Sequence, residues 1–191
     1  MQVDSSSIFL FKNSAEWEKW LEKNCEKSDG IWIRFANKNS GLISMSYAEA
    51  VDVALCYGWI DSLVNKYDAI SHIQKFTPRR KRSIWSKINR EKVERLIKEG
   101  KMRPSGMAQV EAAKKDGRWE AAYDSPTTST IPEEFMVELR KNIKAKEFFT
   151  TLNKSNLYAI SWRLQTAKKP ETKANRIQQI IAKLAKREKF H

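Results

Sequence analysis

The first 78 residues of the chain alternate between helical and extended patterns of apolar residues. A polar residue followed three positions later by glutamate marks two helix starts, Asn13 and Ser46, and predicts helices over residues 13–24 and 48–57. Runs of β-branched and aromatic residues predict three strands, at residues 31–36, 59–64 and 69–76. The last two runs are separated by a short polar segment, so we expect them to form an antiparallel hairpin.

Beyond Pro78 the pattern is helical throughout. Apolar periodicity, with proline at starts and glycine at ends, predicts helices over residues 86–99, 104–117, 132–141, a short segment around 148–149, 154–166 and 170–187. In the first of these we expect the buried face to consist of Ile88, Val93, Leu96 and Ile97. On its surface we expect i, i+4 ion pairs of Glu91 with Arg95 and of Glu94 with Lys98. The pattern predicts an α+β fold with a small antiparallel or mixed sheet in residues 1–78. The helical residues 79–191 are expected to pack on it as one compact unit.

Charge is distributed unevenly along the chain, which has a net charge of +13 over 191 residues. Residues 78–118 hold 14 Lys and Arg against 5 Asp and Glu, and residues 140–191 hold 14 against 3. An acidic stretch at 119–139 separates them. This distribution favours an anionic partner, an internal contact between segments, or simply a cationic surface.

Four consecutive cations, Arg79 to Arg82, stand just before a predicted helix start. Like charges repel at short range, so the cluster is expected to have an anion nearby. Arginine grips phosphate or carboxylate with two parallel donors, and a helix N-terminus offers free N–H groups. The candidate ligand-binding residues near this cluster are Trp59, Asp61, Arg79, Arg80, Arg82, Ser83, Trp85 and Asn89.

Asp61 is the catalytic candidate, because acidic residues are uncommon inside strands. It could act as a general base beside Trp59, or it could pair with Arg79, Arg80 or Arg82 and connect the sheet to the next loop. Arg163 and Lys169 precede the last helix and are further candidates for the anion site. The apolar stripe of that last helix is expected to pack in the core.

The sequence offers no familiar cofactor chemistry. It has two cysteines and two histidines without zinc spacing, no glycine-rich phosphate loop and no nucleophile elbow, so we expect no metal and no cofactor. Cys25 and Cys56 are expected to be reduced thiols. No secretory signal or membrane-spanning run is present, which favours a cytoplasmic location. The pattern does not indicate an oligomeric state.

Five ordered strings carry a resemblance to a known family. They are Gly58–Asp61, Phe76–Arg80, Ser83–Asn89, Asp116–Trp119 and Gln165–Thr172. With them the chain resembles the bacterial YdeI/OmpD-associated proteins, also labelled bacteriocin-protection proteins, over nearly its whole length. The resemblance implies a cytoplasmic bacterial protein and brings no catalytic residue set with it.

Three functional hypotheses follow from these observations. The first is a binding protein for a small anionic or phosphorylated ligand, held by Trp59, Asp61 and the Arg79–Asn89 segment. The second is an enzyme in which Asp61 acts as acid or base on an anionic substrate. The third, less favoured because the uncompensated charge is confined to a few residues, is non-specific binding of nucleic acid.

Overall fold

The computed structural model of the chain describes residues 8–191, so the expectation about a secretory signal in residues 1–7 lies outside the described part. The chain forms two compact units. The first consists of Met1–Trp85 and Asn89–Ala121, and the second of Ser86–Ile88 and Ala122–His191. The change of sequence pattern at Pro78 therefore lies inside the first unit. Packing of all of residues 79–191 on the sheet stays a prediction.

The helices and strands lie close to their predicted positions. The first unit contains β1 (Ile8–Phe9), α1 (Ser14–Asn24), β2 (Ile31–Ala36), α2 (Tyr47–Cys56), β3 (Trp59–Lys66), β4 (Ser71–Pro78), most of α3 (Lys87–Lys98) and α4 (Pro104–Lys115). The second contains α5 (Glu133–Arg140), α6 (Ile143–Phe149), α7 (Lys154–Gln165) and α8 (Pro170–Ala185). A mixed sheet followed by helices confirms the predicted α+β class.

The sheet has the strand order β1-β2-β4-β3. β3 and β4 form the expected antiparallel hairpin, with a register shift between Asp61 and Val64, and β4 also pairs antiparallel with β2. The two-residue strand β1 pairs parallel with β2 and was not predicted, because so short a segment carries no periodicity. β3 therefore forms one edge of the sheet.

Aromatic side chains form the core between α1 and the sheet. The Trp17 ring lies 5.8 Å from that of Phe76 and 6.1 Å from that of Trp59, both edge-on, and its indole N–H donates to the Ala50 carbonyl of α2. The Trp59 ring also contacts Trp20, and its N–H donates to the Cys25 carbonyl. Edge-to-face contacts of this kind fix the angle of the helix on the sheet.

Helix α3 differs from its prediction in two respects. Val93 and Leu96 are buried as expected, whereas Ile88 and Ile97 are exposed, so the predicted apolar face was too wide. The expected ion pairs of Glu91 with Arg95 and of Glu94 with Lys98 were wrong. Arg95 binds Asp52 and Glu99 instead, and Glu94 lies 3.9 Å from Arg90.

The second unit has a core of its own. Helix α8 buries the stripe Ile177, Ile180, Ile181 and Leu184, as its spacing predicts. These side chains meet buried residues of the other helices, namely Phe135, Leu139, Ala145, Leu152, Ile160 and Leu164. The stripe therefore packs within the protein, which confirms the expected core role.

One close backbone approach fixes α4 against α2. A Cβ atom added to Gly106 would lie 2.1 Å from the Cys56 carbonyl oxygen, which is far inside van der Waals contact. The same carbonyl accepts a hydrogen bond from the Arg103 backbone N–H at 3.0 Å. Only glycine at position 106 permits this approach of the two helices.

We predict that Gly106→Ala lowers the free energy of unfolding by about 2 kcal/mol, because the added methyl group forces α4 away from α2. Helix propensity alone predicts the opposite sign, a gain of about 1 kcal/mol. Urea denaturation of the parent and the variant measures the difference. A variant more stable than the parent would contradict the close approach.

Candidate functional site

Arg79 is the buried member of the four-cation cluster, with 6% of its surface exposed. Its guanidinium lies 3.5 Å from the centroid of the Trp85 ring, and it donates to the Ile84 carbonyl at 3.2 Å. The Trp85 ring in turn lies edge-on to Trp119 at 5.0 Å. Arg79 is therefore part of the stacked interior beneath the loop.

A second buried arginine, Arg118, binds the backbone of the loop that follows Arg79. Arg118, 4% exposed, donates to the Ser83 carbonyl at 2.8 Å and forms an ion pair with Asp116. Arg80 and Arg82 lie on the outer side of this loop and are exposed. The cluster therefore contains one buried, stacked cation, Arg79, and three exposed cations, Arg80, Lys81 and Arg82.

Asp61 has different partners from those weighed for it in the sequence. Its Oδ2 atom accepts hydrogen bonds from the Tyr47 hydroxyl at 2.7 Å and from the Gln74 side-chain amide at 2.8 Å. Neither of these partners is an arginine. Trp59, two residues earlier, is buried in the aromatic core. Asp61 therefore connects β3 to β4 and to the start of α2.

The remaining sequence-predicted site residues fall into both units. Asn89 is half-buried in the first turns of α3, and it groups with the first unit. Arg163 and Lys169 belong to the second unit, where Lys169 is the exposed residue preceding α8. The ligand-binding role of the ten predicted residues stays a prediction, and the geometry singles out one of them, Arg163.

Arg163 lines a cleft between α7 and α8 with a volume of about 380 Å³. We call this the α7–α8 cleft, and it is lined by Trp162, Arg163, Arg176, Gln179, Ile180, Lys183 and Phe190. Three of the seven lining residues are cations and none is acidic. Cavities for small molecules span roughly 300–1,000 Å³, so the cleft has room for a small ligand.

Hydrogen bonds and ring contacts hold the three cations in place. Arg176 donates to the Arg163 carbonyl at 2.5 Å and to the Thr166 hydroxyl at 3.2 Å. Arg163 itself donates to the Ala159 carbonyl at 2.9 Å. Lys183 has one carboxylate in reach, that of Glu188 at 4.0 Å, at the limit of an ion pair. All three cations are half-buried.

Phe190 closes one side of the cleft. Its ring lies 4.5 Å from the Arg163 guanidinium and 5.1 Å from the Lys183 ammonium, both distances being measured to the ring centroid. Its backbone N–H donates at 2.7 Å to Oδ1 of Asn156, a side chain that is itself buried. The ring is therefore held between two of the cations by an anchor on α7.

Sequence reasoning missed Trp162, Arg176, Lys183 and Phe190 as site residues. One signal for the pair on α8 was present: positions seven apart fall on the same face of a helix, and Arg176 and Lys183 have that spacing. The contribution of α7 and of Phe190 depends on how helices pack, which the spacing does not show.

The described part of the chain contains neither a cluster of metal-ligating side chains nor a helix suited to crossing a membrane. Within residues 8–191, no group of three or more His, Cys, Asp or Glu is placed to hold a metal ion. Over the same residues, no helix combines the length and apolar character that crossing a membrane requires.

Comparison with protein families divides the chain in two. Residues 9–109 match a family described as a domain of unknown function (DUF8412). Residues 128–187 match the family described as "Bacteriocin-protection, YdeI or OmpD-Associated". No curated protein and no solved structure matches the chain. The second match contains α5 to α8 and every lining residue of the α7–α8 cleft except Phe190.

We predict that Asp61→Ala lowers the free energy of unfolding by about 2 kcal/mol, because the buried amide of Gln74 loses its acceptor. Asp61→Asn keeps an oxygen at that position and is the matched control, with a smaller loss. Urea denaturation compares the two variants. Equal stability of Asp61→Ala and the parent would show that the carboxylate has no structural role.

Proposed function

We propose that this chain binds a small anionic or phosphorylated ligand in the α7–α8 cleft. The chain belongs to the DUF8412 family through its N-terminal half and carries the YdeI/OmpD-associated, bacteriocin-protection domain. The observation that carries the proposal is the charge of that cleft. Three half-buried cations line one cavity, and no lining residue supplies a negative charge.

Partial burial makes the uncompensated charge significant. A cation that is partly removed from water loses hydration, and a nearby anion restores the lost interaction energy. Arg163 and Arg176 use some of their N–H donors on backbone carbonyls, which fixes the orientation of each guanidinium. Since a guanidinium has five N–H donors, each retains donors for a phosphate or carboxylate oxygen.

The apolar lining indicates what else the ligand carries. Trp162, Ile180 and Phe190 contribute ring and aliphatic surface next to the cations. A ligand with a flat or apolar part joined to a phosphate or carboxylate would contact both kinds of surface. Phenyl phosphate is a simple probe of this chemistry.

Exposed Arg80 and Arg82 remain candidates for additional contacts with an anion, and they are tested in the same experiment. The hypotheses of an enzyme that uses Asp61 and of a nucleic-acid-binding protein stay predictions. We also propose a cytoplasmic location, as the bacterial family resemblance implies.

We predict that phenyl phosphate binds the protein saturably and that Lys183→Gln weakens this binding by about tenfold or more, as expected for the loss of one charge-assisted hydrogen bond. Isothermal titration calorimetry at constant ionic strength gives the dissociation constants. Constant ionic strength keeps the screening of surface charges equal in all samples.

The matched control is Lys186→Gln, which removes an exposed lysine of the same region that does not line the cleft. Phenol serves as the uncharged analogue of the probe and should bind much more weakly. A second pair, Arg80→Gln and Arg82→Gln, tests the exposed cations. Equal affinity in the parent and Lys183→Gln, or equal binding of phenol and phenyl phosphate, would contradict the proposal.

A further inference from the structure

The first unit contains a separate cleft with a volume of about 490 Å³. Its acidic residues come from α1 and α2 and its basic residues from α3 and the segment after it, so they form two walls. The acidic wall consists of Glu18 on α1 with Glu49 and Asp52 on α2. The basic wall consists of Arg95 on α3 with Lys101 and Arg103 from the segment between α3 and α4. We call this the two-wall cleft.

Ion pairs connect the two walls. Asp52 binds both Arg95 and Lys92, the latter at 2.5 Å. Glu18 binds Arg103 at 2.8 Å. These pairs come from positions far apart in the sequence, so they hold α1, α2 and the end of α3 at a defined separation.

The pairs leave hydrogen-bonding capacity on both walls. Glu49 uses its carboxylate on the backbone and side chain of Ser46, which completes the helix cap. On the basic wall, Glu99 binds Arg95 and Lys101, both at 2.8 Å. A carboxylate has about four acceptor positions, a guanidinium five donors and an ammonium three, so these partners saturate neither wall. An ammonium group can therefore bind at the acidic wall and a carboxylate at the basic wall.

The floor of the cleft is apolar. Val53 and Cys56 of α2 and Leu96 of α3 line it between the charged walls. Burial raises the pKa of the Cys56 thiol to about 11, which makes this cysteine a small apolar residue at neutral pH. The floor suits the side chain of a small molecule that has charges of both signs at one end.

We propose that the two-wall cleft binds a small zwitterion of the class of free α-amino acids with an apolar side chain. The ammonium group lies against Glu49 and Asp52, and the carboxylate against Lys101 and Arg95. The three acids and three bases of the lining cancel, so this cleft does not favour an anion. The α7–α8 cleft has only cations, so the two sites take ligands of different classes.

Calorimetric titration of the parent protein with the apolar L-amino acids tests the class of ligand. The predicted result is saturable binding of at least one of them. The amide of that amino acid lacks the carboxylate, and its deaminated acid lacks the ammonium group. Each should bind more weakly than the amino acid, by about tenfold or more. No binding across the series, or equal binding of the amino acid and either analogue, would overturn the proposal.

Variants of each wall locate the site. Glu49→Gln keeps the helix cap, since glutamine also serves in a capping box, and Lys101→Gln changes an exposed side chain. Both should weaken amino acid binding, whereas only Lys101→Gln should weaken binding of the deaminated acid. Glu91→Gln and Lys98→Gln, exposed positions of α3 outside the cleft, are the matched controls. Wall variants that bind like the controls would exclude this cleft.

Alkylation of Cys56 by iodoacetamide provides a readout that is independent of affinity. Because the pKa of Cys56 is raised to about 11, its thiolate fraction is small at pH 8, and the rate should increase as the pH rises toward that value. A saturating amino acid should slow this reaction. Half-buried Cys25 does not line the cleft and is the internal control. Unchanged alkylation of Cys56 with bound ligand would place that ligand elsewhere.

Discussion

A positive charge that is partly removed from water must be compensated, and the two units of this chain meet that requirement differently. In the first unit the compensation is largely internal. Half-buried Lys92 binds Asp52, and buried Arg118 binds Asp116. In the second unit the half-buried cations of the α7–α8 cleft face a cavity whose seven lining residues include no acid. The proposed anion completes that site.

The same requirement explains why the four consecutive cations Arg79 to Arg82 are not the proposed anion site. Arg79 is only 6% exposed, stacks on the Trp85 ring and donates to a backbone carbonyl, so it has little surface left for a ligand and serves to hold the loop in place. Arg118 has the same role from beneath Ser83. Arg80 and Arg82 are exposed to water, where a charge is already well solvated. A dense run of cations in sequence therefore does not by itself define a binding cavity.

Local rules account for most of what the sequence predicted correctly. The caps at Asn13 and Ser46 depend on residues three positions apart, and both are present in the structure. The hairpin of β3 and β4 likewise depends on neighbouring segments. What failed or was missed depends on distant contacts. Arg95 was assigned to Glu91 in its own helix, whereas it binds Glu99 and, 43 residues away, Asp52. The α7–α8 cleft requires the packing of two helices and the placement of Phe190, and only Arg163 was singled out beforehand.

A crystal structure of the protein grown with selenate distinguishes an anion in the α7–α8 cleft from one at the exposed arginines, because the anomalous signal of selenium locates the anion without bias. The predicted result is selenate ordered in contact with Arg163, Arg176 and Lys183. Selenate ordered at Arg80 and Arg82 and absent from the cleft would contradict the account.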